Sequence, residues 1–154
     1  MAEQPRIFGL GDLQRFTGAT RLRLTHWTKI GLLRASVQRA AGPGTRQLFS
    51  WEDLCTCGLI ACLDLWGIKP RDMKSILDRV IPVDPWALPP PNPKGAGRDL
   101  WLLVDSVPDE ARLVRAASLE EAIKRRPRDQ LLSINLSGLQ RVIWGRVKRK
   151  EVSR

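Results

Sequence analysis

Apolar residues first recur at helical spacing between residues 11 and 33, "GDLQRFTGATRLRLTHWTKIGLL". Leu13 and Phe16 stand three apart, Thr17 and Gly18 supply a turn, and a second helix of about ten residues follows. Thr20 carries the hydroxyl of an N-cap, and Gly31 sits where a helix ends in a left-handed residue. At about 100° per residue, Thr20, Leu24 and Trp27 share a face expected to pack inward. Leu22, Thr25 and Lys29 face the other way, with Arg21 and His26 at the edges and Arg23 nearer the core side.

The pattern then changes. In "LLRASVQRAAGPGTRQLFS" (32–50) short apolar segments flank a glycine-rich loop bearing Arg39 and Arg46, which fits a β-hairpin with a basic tip. Ser50 and Asp53 have the spacing of a helix cap. The helix after them is apolar on nearly every side from Leu54 to Trp66, so it is expected as a central strut covered from several directions. Gly67 ends it, Pro70 opens another helix at the favoured first position, and Pro82 closes the module.

Residues 82–98 form a linker whose "PVDPWALPPPNPKGAG" cannot hold a helix, because each proline removes a donor and clashes with the preceding turn. Beyond it, "LWLLV" (100–104) and "ARLV" (111–114) look like paired strands around a turn at 106–110. Ser118 and Glu121 have capping-box spacing for a helix that Pro127 ends. "LLSINL" (131–136) is strand-like, and Leu139, Val142, Ile143 and Val147 recur at helical spacing. The expectation is a mainly α N-terminal winged helix-turn-helix (1–81), the linker (82–98), and a small α/β domain (99–154) ordered strand, strand, helix, strand, helix. The last domain is expected to be an accessory or dimerisation unit.

Charge gives this outline a partner. The chain carries 26 Lys and Arg against 16 Asp and Glu, a net charge of +10. Residues 1–50 hold eight basic residues and only Glu3 and Asp12 as acids, so the excess lies where the helix-turn-helix is expected. Such a surface attracts polyanions, since phosphate contacts release condensed counterions. The longest apolar stretch, 58–68, is broken by Asp64 and falls short of the roughly 20 residues that span a bilayer. The N-terminus lacks the layout of a secretory signal, so a cytoplasmic, nucleoid-associated protein is expected.

A short exposed helix beside a basic hairpin suits duplex DNA, the helix entering the major groove. Arg21 suits a guanine edge or a phosphate, Thr25 and His26 suit base edges, Leu22 a thymine methyl and Arg23 a phosphate, with Lys29 on the same groove-facing side. Thr20 lies at the same helix start. From the hairpin, Arg39, Gly44, Thr45 and Arg46 are candidates for phosphate or minor-groove contacts, the glycines letting the backbone come close.

The order Gly31-Leu32-Leu33 after the second helix, then "GPGTRQLFSWEDL" (42–54) and "GIKPRDMKSIL" (67–77), resembles the DNA-binding domain of MerR-family transcriptional regulators, over about residues 8–80. The resemblance implies a winged-helix fold, a homodimer, and an inverted-repeat operator near a bacterial promoter, with RNA polymerase as a further partner. The chain departs from the family pattern at Thr25, where Arg is frequent, and at His26 and Trp27, where paired Tyr is frequent. Its proline-rich linker stands where many members carry a long dimerisation helix.

Two rival functions share these features: an excisionase-like architectural or recombination factor, and an adaptor whose winged helix grips a protein. The three cysteines invite a metal or redox sensor, but on the wheel Cys55 and Cys62 share the apolar face while Cys57 lies far round beside Asp64. With His26 the sole histidine, neither metal nor cofactor is expected, and the cysteines are expected as buried small apolar residues. Trp27, Trp51 and Trp66 are expected in the core, and Trp86 is a candidate to pin the linker down. With one histidine, no Walker-type loop and scattered carboxylates, no enzyme is expected.

Overall fold

The computed structural model describes residues 6–83, 85–86, 98–104, 111–124 and 132–153. Among the described residues helices predominate: six α-helices and a small three-stranded antiparallel sheet make a mixed α/β fold. Most of the expected linker, the turn at 106–110, the start of the third strand at Leu131 and the Pro127 stop lie outside the described residues. The chain divides into two compact units, Met1–Gly67 and Ile68–Arg154.

The first unit holds α1 (Leu10–Thr17), α2 (Arg21–Lys29) and α3 (Trp51–Leu65). Gly9 N–H bonds the Asp12 carboxylate at 3.0 Å at the start of α1, and Gly18, at φ 75°, ends it in the left-handed region that favours glycine. Leu13 and Phe16 are buried, and Phe8 meets Phe16 edge to face with ring centroids 6.2 Å apart. Helix α3 starts on a full capping box, with Ser50 accepting from Asp53 N–H and Asp53 accepting from Ser50 N–H. It buries residues on several sides, among them Trp51, Leu54, Cys55, Cys57, Leu59, Ile60 and Leu63. The covering stops at its C-terminus. Leu65 and Trp66 are 83% and 62% exposed, so Trp66 is not the core residue expected; it stands at the helix end, where Gly67 (φ 77°) turns the chain away.

The second unit begins with α4 (Pro70–Val80), opened by Pro70 as expected and buried along Met73, Ile76, Leu77 and Val80. A 3-10 turn, Ile81–Val83, follows, and Trp86 is buried. Strands β1 (Asp99–Val104), β2 (Arg112–Ala116) and β3 (Leu132–Asn135) pair in the order β2-β1-β3. Trp101 lies opposite Val114 on one side and Asn135 on the other. On one face Trp101, Leu103, Val114 and Ala116 pack with Ala122 and Ile123 of α5 (Leu119–Ile123), which Ser118 caps. Leu100, Leu102 and Val104 are buried on the alternate side, and α6 (Leu136–Val152) packs on β1. The order is the expected one, with two corrections. Leu136 opens α6 rather than closing β3, because the Asn135 side chain caps the helix at Gly138 N–H. Val142 is 51% exposed, while Ile143 and Val147 fill the core.

Candidate nucleic-acid interface

The chain sets the attitude of α2 at both of its ends. The Thr20 hydroxyl accepts from Arg23 N–H at 3.3 Å, which satisfies one of the donors that a helix start leaves open. At the other end Leu32 N–H reaches Trp27 C=O at 2.9 Å and Gly31 N–H reaches Thr28 C=O at 3.1 Å, with Gly31 at φ 76°. That pair of bonds is a Schellman motif, and both Leu32 and Trp27 are buried. Between these caps Leu24 and Trp27 are buried, each contributing about 1.5–3 kcal/mol through burial. Thr20 corrects the wheel: it is exposed rather than inward-facing, because the cap residue lies outside the helical repeat.

The remaining face is open. Arg21, Leu22, Arg23, Thr25, His26 and Lys29 are all exposed, and Leu22 is exposed to 81%. A leucine so placed does nothing for the core of its own unit, and basic and polar residues surround it along the helix.

The hairpin is shorter than two strands. Val37 and Gln38 N–H groups both donate to Leu48 C=O, at 3.2 and 3.1 Å, and Leu48 N–H returns to Gln38 C=O at 2.9 Å. Two residues opposite one is a β-bulge, which bends and twists the strand and ends the ladder after a single bridge. At the tip Thr45 N–H bonds Gly42 C=O at 3.2 Å across Pro43 and Gly44. Proline in the first central place and Gly44 at φ 82° in the second are the requirements of a type II turn. Arg39, Gly44 and Arg46 are exposed, and Thr45 is half-buried. Phe49 continues past the hairpin to exchange two backbone bonds with Phe8, at 2.9 and 2.8 Å, an additional bridge that the sequence pattern did not announce.

Charge within the unit is divided unevenly. Asp12 and Asp53 are used as caps, and Asp64 forms an ion pair with Arg23. Arg15, Arg21, Lys29, Arg34, Arg39 and Arg46 are exposed and make no ion pair among the described residues. Three of the unit's acids are thus engaged while Glu52 stays exposed, and these six cations face solvent without an ion pair among the described residues. Arg15 and Arg34 extend the set found from sequence, while Arg23 is already taken up by an acid.

Cys55 and Cys57 are buried, as expected of small apolar residues, and Cys62 is half-buried. Cys57 is fully buried, its thiol 3.8 Å from the Thr17 hydroxyl, and burial pushes it up to about 12. Burial also raises Cys55, with Glu52 adding to the effect, and Cys62. Cys57 lies on the same side of α3 as Asp64, two turns earlier, where α1 covers it. Among the described residues no three His, Cys, Asp or Glu side chains gather as metal ligands.

No helix among the described residues is long and apolar enough to cross a membrane. Comparison with protein-family models and with curated proteins finds no match to the chain.

Proposed function

We propose that the segment from α1 through the hairpin is a winged helix-turn-helix of the MerR type, and that the protein is a sequence-specific transcriptional regulator that binds an inverted repeat of duplex DNA as a homodimer. The observation that carries this reading is the open face of α2, where Leu22 is 81% exposed among Arg21, Thr25, His26 and Lys29. An α-helix fits the major groove, where Leu22 meets a thymine methyl and Arg21, Thr25 and His26 reach base edges. Lys29 holds a phosphate. The hairpin contributes Arg39 and Arg46, and the type II turn at Gly44 and Thr45 brings backbone close to the sugar-phosphate chain.

The charge division supports the same reading, since neutralised phosphates supply most sequence-independent affinity. A homodimer follows from the recognition problem: one helix reads a few base pairs, and two half-sites a helical turn apart give useful affinity. At a promoter such a dimer meets RNA polymerase, and it resides with the nucleoid.

Selection of a duplex from a random pool, followed by gel shifts with Arg21→Ala and Arg46→Ala, tests the assignment. Both variants are expected to weaken binding, and unchanged affinity for both rejects these contacts. A footprint in promoter spacers supports the regulator, whereas one at recombination ends favours the architectural alternative. Failure to bind any duplex at physiological salt, with a protein partner co-purifying, favours the adaptor.

A further inference from the structure

The exposed cations of the first unit share a pattern that Arg23 breaks. It stands on α2 two residues from Arg21, its side chain is 55% exposed, and yet its guanidinium is paired with Asp64 of α3. Asp64 is 27% exposed, and it is neither a cap nor a core residue.

We infer that Asp64 mutes Arg23 as a phosphate contact, so that α2 presents a cation that is electrostatically silent towards DNA. This rests on the duplex-binding reading above and adds a device that limits sequence-independent affinity. A cation that enters DNA from solvent releases a condensed counterion, which steepens the dependence of affinity on salt by about 0.9 in the log-log slope. An arginine already neutralised by a carboxylate releases none. A phosphate approaching Arg23 also meets the like charge of Asp64 on the adjoining helix. The pair itself is too exposed to lock the arginine by its own strength, so the muting comes from the fixed negative charge beside the site.

The gain is discrimination. A phosphate contact strengthens right and wrong sequences alike, whereas base contacts from Leu22, Thr25 and His26 do not. With one cation on the reading helix silenced, a larger share of the affinity depends on sequence. Placing Asp64 on α3, which packs against α1, keeps the acid at a fixed position under α2.

The test compares the salt dependence of duplex binding, with the selected duplex and a scrambled one, for the wild type, Asp64→Asn, Arg23→Ala and the double variant, each checked for folding by thermal melting. Asp64→Asn is expected to bind both duplexes more tightly and to steepen the slope by about 0.9, which is about a threefold larger loss between 50 and 200 mM salt. Arg23→Ala alone bares Asp64 and is expected to weaken binding to both duplexes. The double variant returns to the wild-type slope. An unchanged slope in Asp64→Asn, weaker binding by that variant, or a double variant that keeps the slope of Asp64→Asn overturns the inference while leaving duplex binding intact. Absence of duplex binding by the wild type at low salt overturns the function reading itself, and the inference with it.

Discussion

One carboxylate oxygen of Asp53 accepts both the backbone N–H and the hydroxyl of Ser36, at 2.8 and 2.6 Å. The same oxygen takes Ser50 N–H at 2.9 Å, so the residue that caps α3 also clamps both ends of the hairpin. Cap and hairpin are therefore one mechanical piece. Asp53→Ala is expected to cost about 1–2 kcal/mol, lowering the melting temperature by roughly 4–8 °C per kcal/mol for a unit of this size. Asp53→Asn, which keeps an accepting oxygen, is expected to cost less. Equal melting of Asp53→Ala and the wild type rules out the clamp.

Leu22→Ala separates base reading from phosphate holding. Removing this exposed side chain is expected to leave stability within about 0.5 kcal/mol and to reduce discrimination at one A·T position by about 1–3 kcal/mol. The salt slope stays the same. Lys29→Ala has the complementary signature, a slope lower by about one with the sequence preference intact. Binding titrations on single-base variants of the selected duplex check both; equal losses on every duplex for Leu22→Ala would falsify its role in reading a base.

Acid stability of the second unit is tied to Asp99. Arg141 grips this carboxylate with two bonds of 2.8 and 2.7 Å, and Asn135 adds a third at 2.8 Å. The Arg141 hydrogen bonds hold Asp99 below its usual 3.8 and raise Arg141, partial burial opposing in both cases. A carboxylate lowered on folding binds fewer protons in the native state than in the unfolded one at these pH values. Its contribution is thus full above the ordinary carboxylate value and is lost as pH falls through the depressed one. Asp99→Asn is expected to cost about 2 kcal/mol at neutral pH and to flatten the stability profile below pH about 4. A denaturation series from pH 7 to 2 measures it, and parallel profiles for the two proteins contradict the assignment.

The thiols should resist reagents in the folded state. Only the thiolate reacts, and Cys57 at about 12 and the fully buried Cys55 present almost none at pH 8. Cys62, less buried, is expected to react slowly and first. Thiol titration with and without denaturant is the check: three thiols reacting at the rate of free cysteine before unfolding would contradict this packing.

The caps and turns were legible in the sequence because their chemistry is local. Thr20, Gly31, Ser50, Asp53, Gly67, Pro70 and Ser118 each act on backbone within a few residues, and all stand in the structure where their types suggest. Periodicity likewise separated Leu24 and Trp27 from Leu22, since a helical repeat sorts residues by face before any partner is known. It failed where a partner decides. Trp66 looked buried until α3 outran its cover, and Val142 lost its place to Ile143 and Val147.

The order of elements, most of their ends, and the side of α2 that is free of the core follow from the residues alone, through backbone chemistry and a fixed helical repeat. Which charges remain available is set by packing. Arg23 meets Asp64, Ser36 meets Asp53 and Asp99 meets Arg141 across long stretches of chain, and a pairing of that kind depends on how elements pack, which composition and spacing do not encode.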